Sequence, residues 1–147
     1  AWHFKVFTAD GLKRFYRVQQ QIYKETTPPD KFSESKYNKI AEKHKVVSHV
    51  IAIIMKRDPN RRFPAQEDLV SVACATQNIY LSLQAFEIAG YLSTGDVCYQ
   101  PPMRAFLELD HEDECIGFFT LGIRDAHYER PPRKRIPAKE KTEWIRE

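Results

Sequence analysis

The segment EDLVSVACATQNIYLSLQAFEIAG, from Glu67 to Gly90, decides the fold. Its apolar residues recur at the three-and-four spacing of an amphipathic helix as far as Ala89, which predicts the longest helix of the chain. The apolar stripe is wide and contains small residues, which is typical of a central helix that is packed on several sides. Gly90 follows the last periodic residue and is predicted to cap the C-terminus of this helix.

Upstream of this helix the sequence predicts two strands and two further helices. The run Val46–Met55 is rich in β-branched residues and predicts a strand that is covered on both faces. The opening segment Ala1–Phe7 alternates bulky and polar residues, as a strand does. Between the strands, helical periodicity over Leu12–Tyr23 and Tyr37–His44 predicts a long helix and a short one.

Downstream of the central helix the signals are shorter. Leu92–Gly95 is predicted to be a polar turn, and the prolines that follow introduce a short helix at Met103–Leu107. Glu114–Leu121 predicts another strand, which Gly122 is expected to end. The order strand, helix, helix, strand, long helix, strand indicates a mixed arrangement of helices around one sheet.

Composition limits the classes of protein that fit. The 147 residues are 42% hydrophobic and 29% charged, which predicts a single globular domain over residues 1–147, with a basic, proline-containing C-terminal extension at 128–147. A net charge of +3 is too small to indicate a nucleic-acid protein, and no apolar run reaches the length of a membrane span. Three cysteines without CxxC spacing predict reduced thiols and a cytoplasmic protein.

The chain opens directly in a predicted strand, at Ala1. A protein seldom begins in the middle of its sheet, so we expect the native product to contain residues before Ala1.

Sequence motifs of hydrolases, zinc proteases, phosphate-binding loops and dinucleotide-binding loops are absent. The five histidines are widely separated, and the acidic cluster His111–Glu114 is better explained as a solvated loop than as a metal site. Two features remain. The arginines of the basic tail suit phosphate binding, although a solvated tail has the same composition. The turn Ser93-Thr94-Gly95 offers hydroxyls and an amide to a planar, heteroatom-rich ring, although such turns often only connect elements.

Taken together and in order, these segments resemble the nitroreductase family. The similarity covers a PW-x-F segment that leads into a strand, the long central helix with its Gln-Asn pair, a W-x-[ST]-G turn, a late strand that ends in Leu-Gly, and a basic tail with prolines and a tryptophan. The corresponding segments are Ala1–Phe4, Ala73–Gly90, Leu92–Gly95, Phe119–Gly122, Pro131–Pro137 and Trp144.

The sequence departs from the family in three places. Ala1 stands where the family has proline before the tryptophan, and Leu92 replaces the aromatic residue of the turn. The N-terminal helix of the family, with its Arg-Ser-x-Arg phosphate anchor, would lie upstream of Ala1.

The resemblance implies an α+β fold with a mixed sheet flanked by helices, in an interlocked homodimer that binds FMN at two interface sites. It implies that a hydride passes from NAD(P)H through the flavin to a nitro compound, a quinone or a similar small acceptor. The flavin carries this chemistry, so no catalytic side chain is predicted. The implied contacts of the ring are Leu92, Ser93, Thr94 and Gly95, and those of the FMN phosphate are Arg133 and Arg135.

Two other functions fit the same residues. A relative of the family without redox activity would act as a binding or scaffold dimer. A small nucleic-acid module would use the basic tail, and its binding would depend strongly on salt.

Overall fold

The computed structural model describes residues 1–129, 131–132 and 134–146. Four strands form one sheet in the order β1-β2-β4-β3. Their bounds are β1 Trp2–Phe7, β2 His49–Met55, β3 Ile88–Ser93 and β4 Glu114–Ile123. The helices are α1 Ala9–Thr26, α2 Glu34–Glu42, α3 Ala65–Ala85 and α4 Pro101–Phe106.

The sheet is antiparallel at each of its three pairings, so the expectation of a mixed sheet is wrong for the described residues. In the β1–β2 pair, Phe7 at the end of β1 lies opposite Val50 at the start of β2, so the helices between them begin and end at the same end of the sheet. The coarser prediction, a sheet flanked by helices in an α+β fold, is confirmed.

Strand β2 has both faces covered, as its β-branched sequence predicts. Val50, Ala52 and Ile54 join one core with α1, α4 and the buried side of β4. Ile53 and Met55 point the other way and pack with Val72 and Leu83 of α3. The successive residues alternate between the two faces of the pleated strand, so each face contributes to a separate apolar core. The strand begins at His49, three residues later than the apolar run.

The central helix is shorter than predicted, and a strand that the sequence analysis missed follows it. Helix α3 ends at Ala85, and Glu87 has a φ of 54°, in the left-handed region that reverses a chain after a helix. Gly90 therefore lies inside β3 and caps nothing, which corrects the prediction. Gly90 is needed for another reason. A Cβ there would lie 2.7 Å from Leu83 Cδ1 and 2.7 Å from Leu121 Cδ2.

The remaining elements agree with the sequence to within a few residues. Helix α1 ends at Thr26, just before the two prolines. Helix α4 begins at Pro101 and Pro102, where the missing amide costs nothing because the first N–H groups of a helix have no partner within it. Strand β4 continues through Gly122 to Ile123, so that glycine does not end it. None of the described helices is long and apolar enough to cross a membrane.

Candidate functional site

A cleft of about 640 Å³ opens between the C-terminal half of α1, the segment from Pro28 to Lys43 and the chain that leaves β3. Its volume falls within the range of roughly 300–1,000 Å³ that is usual for small-molecule and cofactor sites. Three of the four residues that were predicted to contact a ring line it: Ser93, Thr94 and Gly95. The fourth, Leu92, packs against the core beneath α3 and is not among the described residues that line the cleft.

The predicted turn is the end of a strand followed by a bend. Ser93 is the last residue of β3, and its hydroxyl donates a hydrogen bond of 3.2 Å to the carbonyl oxygen of Phe118. The carbonyl oxygen of Gly95 accepts a 2.9 Å hydrogen bond from the N–H of Cys98, within the short 3₁₀ turn Asp96–Tyr99 that follows. Within the described part of the chain, the Thr94 hydroxyl and the Gly95 N–H have no hydrogen-bond partner, so both groups can serve a ligand.

Gly117 of β4 sets the position of this bend, and the sequence analysis did not single it out. A Cβ on Gly117 would lie 2.9 Å from the carbonyl oxygen of Ser93 and 3.3 Å from Thr94 Cγ2. Only a glycine lets β3 leave the sheet so close to β4, because any other residue forces the neighbouring backbone to move. A small residue in the middle of an otherwise bulky strand was the available signal.

The opposite wall of the cleft is basic, which was not predicted from the sequence. The side chains of Lys31, Lys36 and Lys43 line it. The Lys36 ammonium lies 4.7 Å from the centre of the Tyr23 ring, in a cation–π contact. Asp96 is the single acidic residue among the described lining residues.

Tyr23 supports this wall. Its hydroxyl accepts a 3.0 Å hydrogen bond from the N–H of Ser33, and its ring stacks on Phe32 with 5.4 Å between the ring centres. These two contacts join the segment before α2 to α1, so the basic residues of that segment are held in position at the cleft.

The described residues of the basic tail are not among those that line the cleft. Arg133 lies outside the described residues. Arg135 is exposed and is absent from the described lining of the cleft, as is Lys134. The assignment of the two arginines to a phosphate stays a prediction.

Two of the three free cysteines are buried next to the site. Cys98 of the 3₁₀ turn and Cys115 of β4 lie in the same core, and the interaction between the two thiols lowers the pKa of Cys98. The same interaction, together with burial, raises the pKa of Cys115. The pair packs in the core with α4 and helps to hold the turn that follows Gly95.

The acidic loop before β4 has a structural role. Asp113 is buried, and its carboxylate accepts a 3.1 Å hydrogen bond from the N–H of Arg57 and lies 3.4 Å from the Lys56 ammonium. Over the described ranges, no group of three or more histidine, cysteine, aspartate or glutamate residues could hold a metal ion.

Comparison with known proteins gives the chain relatives in sequence and in structure. No family model matches it. It is 25% identical over 121 residues to the "Putative NAD(P)H nitroreductase YdjA" of Escherichia coli K12, a match that covers 82% of this chain and 64% of that protein. The chain therefore spans less than two thirds of the length of this curated relative.

Two solved structures share the fold. The nitroreductase-like family protein from Bacillus cereus superposes with a TM-score of 0.75 at 20% identity, over 98% of this chain and 73% of that one. The FMN-dependent nitroreductase NfnB from Mycobacterium smegmatis, solved in complex with NADPH, superposes with a TM-score of 0.65 at 17% identity. This match covers 99% of this chain and 79% of that one. The resemblance seen in the sequence is thereby confirmed: the chain is similar in sequence to a putative nitroreductase and has the fold of solved nitroreductases.

Proposed function

We propose that this protein is an FMN-dependent oxidoreductase that takes a hydride from NAD(P)H and delivers it to a nitro compound, a quinone or a similar small acceptor. The observation that carries the proposal is the bend at Thr94 and Gly95 in a nitroreductase-like fold. The bend presents to the cleft a hydroxyl and an N–H that have no hydrogen-bond partner among the described residues. The sequence relative and the fold support the redox class, because both lead to nitroreductases.

The residues of the bend fit the polar edge of a flavin ring. A flat ring that approaches the backbone needs a residue without a side chain. Among the described residues, apart from Gly95 and its two chain neighbours, no heavy atom lies within 4 Å of a Cβ built on Gly95. The Gly95 N–H would donate to an acceptor atom of the ring, and the Thr94 hydroxyl would donate or accept beside it. The hydroxyl of Ser93 donates to Phe118, so Ser93 keeps only its acceptor capacity.

When bound, FMN supplies the hydride-transfer chemistry, and the chain supplies orientation and electrostatics. The bend orients the ring against the cleft wall. The aromatic and aliphatic side chains of α1 at the cleft, Ile22 and Tyr23, exclude water from one side of the reacting position. Arg133 and Arg135 would bind the phosphate, as charge-assisted hydrogen bonds from guanidinium groups favour.

A homodimer belongs to this proposal, because α3 exposes an apolar stripe on the face turned away from the sheet. Val70 and Leu81 are 62% and 63% exposed, and they follow a three-and-four spacing through Cys74 and Gln77. Phe86, directly after the helix, is 74% exposed. Large apolar side chains that are exposed along one face of a helix favour an interaction site, and a second copy of the chain offers the same face.

The test is flavin titration of the full-length protein, followed by its absorbance spectrum. Gly95→Leu should lower the affinity for FMN by about tenfold or more, because the new side chain fills the position of the ring. Gly11→Leu is the matched control, since a Cβ built on Gly11 of α1 likewise meets none of the described residues within 4 Å, and Gly11 is not among the residues that line the cleft. Equal FMN affinity of the Gly95→Leu variant and the wild type would overturn the site.

The phosphate contacts are tested separately. Arg135→Ala should lower the affinity for FMN by about tenfold, because one charge-assisted hydrogen bond is lost. Lys134→Ala should change the affinity little. Small and equal effects of the two substitutions would show a generic basic surface. A full-length protein that binds no flavin at all would favour the scaffold dimer.

A further inference from the structure

The basic wall of the cleft stands opposite the bend that we assign to the flavin ring. Its three lysines come from three separate elements: Lys31 from a 3₁₀ turn, Lys36 from α2 and Lys43 from a second 3₁₀ turn. Within the described part of the chain none of the three forms an ion pair, whereas Lys45, just outside the cleft, is paired with Glu42. Convergence of unpaired ammonium groups on one cavity leaves it with an excess of positive charge, which Asp96 offsets only in part.

The wall is also held in place. The Lys36 ammonium rests over the Tyr23 ring, and Tyr23 is fixed by its hydrogen bond from Ser33 and by stacking on Phe32. A charged group that is already oriented loses less conformational freedom when a ligand arrives.

The position of the basic wall determines which part of a bound molecule the three lysines contact. A flavin ring at Thr94 and Gly95 would leave the rest of the cleft to the molecule that reacts with the ring. Lysine ammonium groups are compact point charges that suit phosphate and carboxylate, and a cationic reactant would be repelled. The neighbouring amides of Gln19 and Gln100 add neutral hydrogen-bonding groups to the lining.

We propose, on the basis of the function proposed above, that this cleft selects anionic reactants, and that Lys31, Lys36 and Lys43 bind their phosphate or carboxylate group. The shared chemistry is a negative charge next to the reacting ring. Two sources supply it: the extra phosphate that distinguishes NADPH from NADH, and an acidic group on the electron acceptor.

The experiment compares matched reactants on the full-length holoenzyme. The first pair is NADPH and NADH, and the second is 4-nitrobenzoate and nitrobenzene. In the triple variant with Lys31→Gln, Lys36→Gln and Lys43→Gln, KM for the charged member of one pair should rise by about tenfold or more, with little change for its uncharged or less charged partner. The pair that responds identifies the source of the charge.

Lys39→Gln is the matched control, because Lys39 is exposed on the same helix as Lys36 but does not line the cleft. It should leave both pairs unchanged. Higher salt should raise KM of the charged reactant in the wild type and should have a smaller effect in the triple variant.

Three results would overturn the proposal. The first is an equal change of KM for both members of each pair, and the second is an equal effect of Lys39→Gln. The third is a triple variant that loses affinity for FMN but not for riboflavin, which would assign the lysines to the phosphate of the cofactor. If the wild type binds no flavin, the redox function fails, and calorimetry with inorganic pyrophosphate then tests the anion site alone. Pyrophosphate binding to the wild type but not to the triple variant would support the anion site. Equal binding to both proteins would contradict it.

Discussion

The backbone N–H of Leu92 donates a 2.8 Å hydrogen bond to the phenolic oxygen of Tyr80. Strand β3 lies at the edge of the sheet, so within the described residues its outer N–H groups have no strand to pair with. Tyr80 of α3 satisfies one of them, and its ring packs edge-on against Phe119 of β4 with 4.5 Å between the ring centres. One side chain thus connects the helix, the edge strand and the inner strand just before the bend that enters the cleft.

Tyr80→Phe should destabilise the protein by about 1 kcal/mol, the usual net contribution of one hydrogen bond, because the ring packing is retained while the acceptor is lost. FMN affinity should fall as well, since the bend begins two residues after Leu92. Urea unfolding and flavin titration measure the two effects. Tyr99→Phe, at an exposed tyrosine of the 3₁₀ turn, serves as the control. Unchanged stability in Tyr80→Phe would mean that water replaces the phenol without cost.

Gly117→Ala should cost roughly 1–3 kcal/mol of stability, as overpacking does, and should also weaken FMN. The added methyl group meets the backbone oxygen of Ser93, so the bend itself must shift. Gly90→Ala is the comparison, because the atoms nearest to its methyl group belong to the side chains of Leu83, Leu121 and Phe119 and not to the backbone. That variant should lose stability without a matching loss of flavin affinity. Similar flavin affinities in the two variants would contradict the role of Gly117.

Stability should decrease at alkaline pH through Tyr16. Burial raises the pKa of Tyr16 to about 12 from its ordinary value of 10.0, and a hydrogen bond with Thr120 opposes part of this shift. The unfolded chain releases this proton near pH 10, whereas the folded chain keeps it until about pH 12. The stabilisation is therefore fully present below pH 10 and is lost as the pH rises through 12.

Tyr16→Phe should remove this part of the alkaline slope, which denaturant unfolding between pH 9 and 11 measures. Tyr128→Phe, at an exposed tyrosine, should keep the slope of the wild type. Identical slopes in the wild type and Tyr16→Phe would show that the phenol does not titrate with unfolding.

Leu81→Lys should convert the proposed dimer into a folded monomer at micromolar concentration, because a charge replaces one of the large exposed apolar residues of the stripe on α3. Sedimentation velocity measures this. Val46→Lys, at a valine that is 81% exposed away from α3, should leave the dimer intact. Cys74 gives a second reading, since it lies on the same stripe and is exposed in the single chain. Its thiol should react slowly in the wild type and fast in Leu81→Lys. A monomeric wild type would contradict the dimer.

Much of the fold could be predicted because the apolar patterns of β2 and α1 leave few alternatives. Strand β3 was missed because the chain reverses at Glu87, a residue that gives no turn signal, while Gly90 three residues later gives a misleading one. The apolar residues of β3 continue the pattern of α3 without interruption, so periodicity alone assigns them to the helix.

The candidate site, too, could be predicted from the sequence only in part. The polar bend at Ser93–Gly95 could be predicted, since its composition and its place in the motif order agree. The basic wall could not, because Lys31, Lys36 and Lys43 are ordinary surface residues until α1 and α2 pack together. Their spacing carries no local signal, and only the tertiary structure brings them to one cavity.

The inner strands of the sheet, β2 and β4, come from opposite halves of the chain, with His49 opposite Leu121. During synthesis on the ribosome, β1 and β2 can pair early. The edge of β2 that pairs with β4 stays open until residue 123 has left the exit tunnel. A chain whose central pairing is this remote in sequence folds slowly compared with a helical bundle. Exposed β2 is the most apolar strand of the sheet, so the nascent protein should depend on chaperones until β4 arrives.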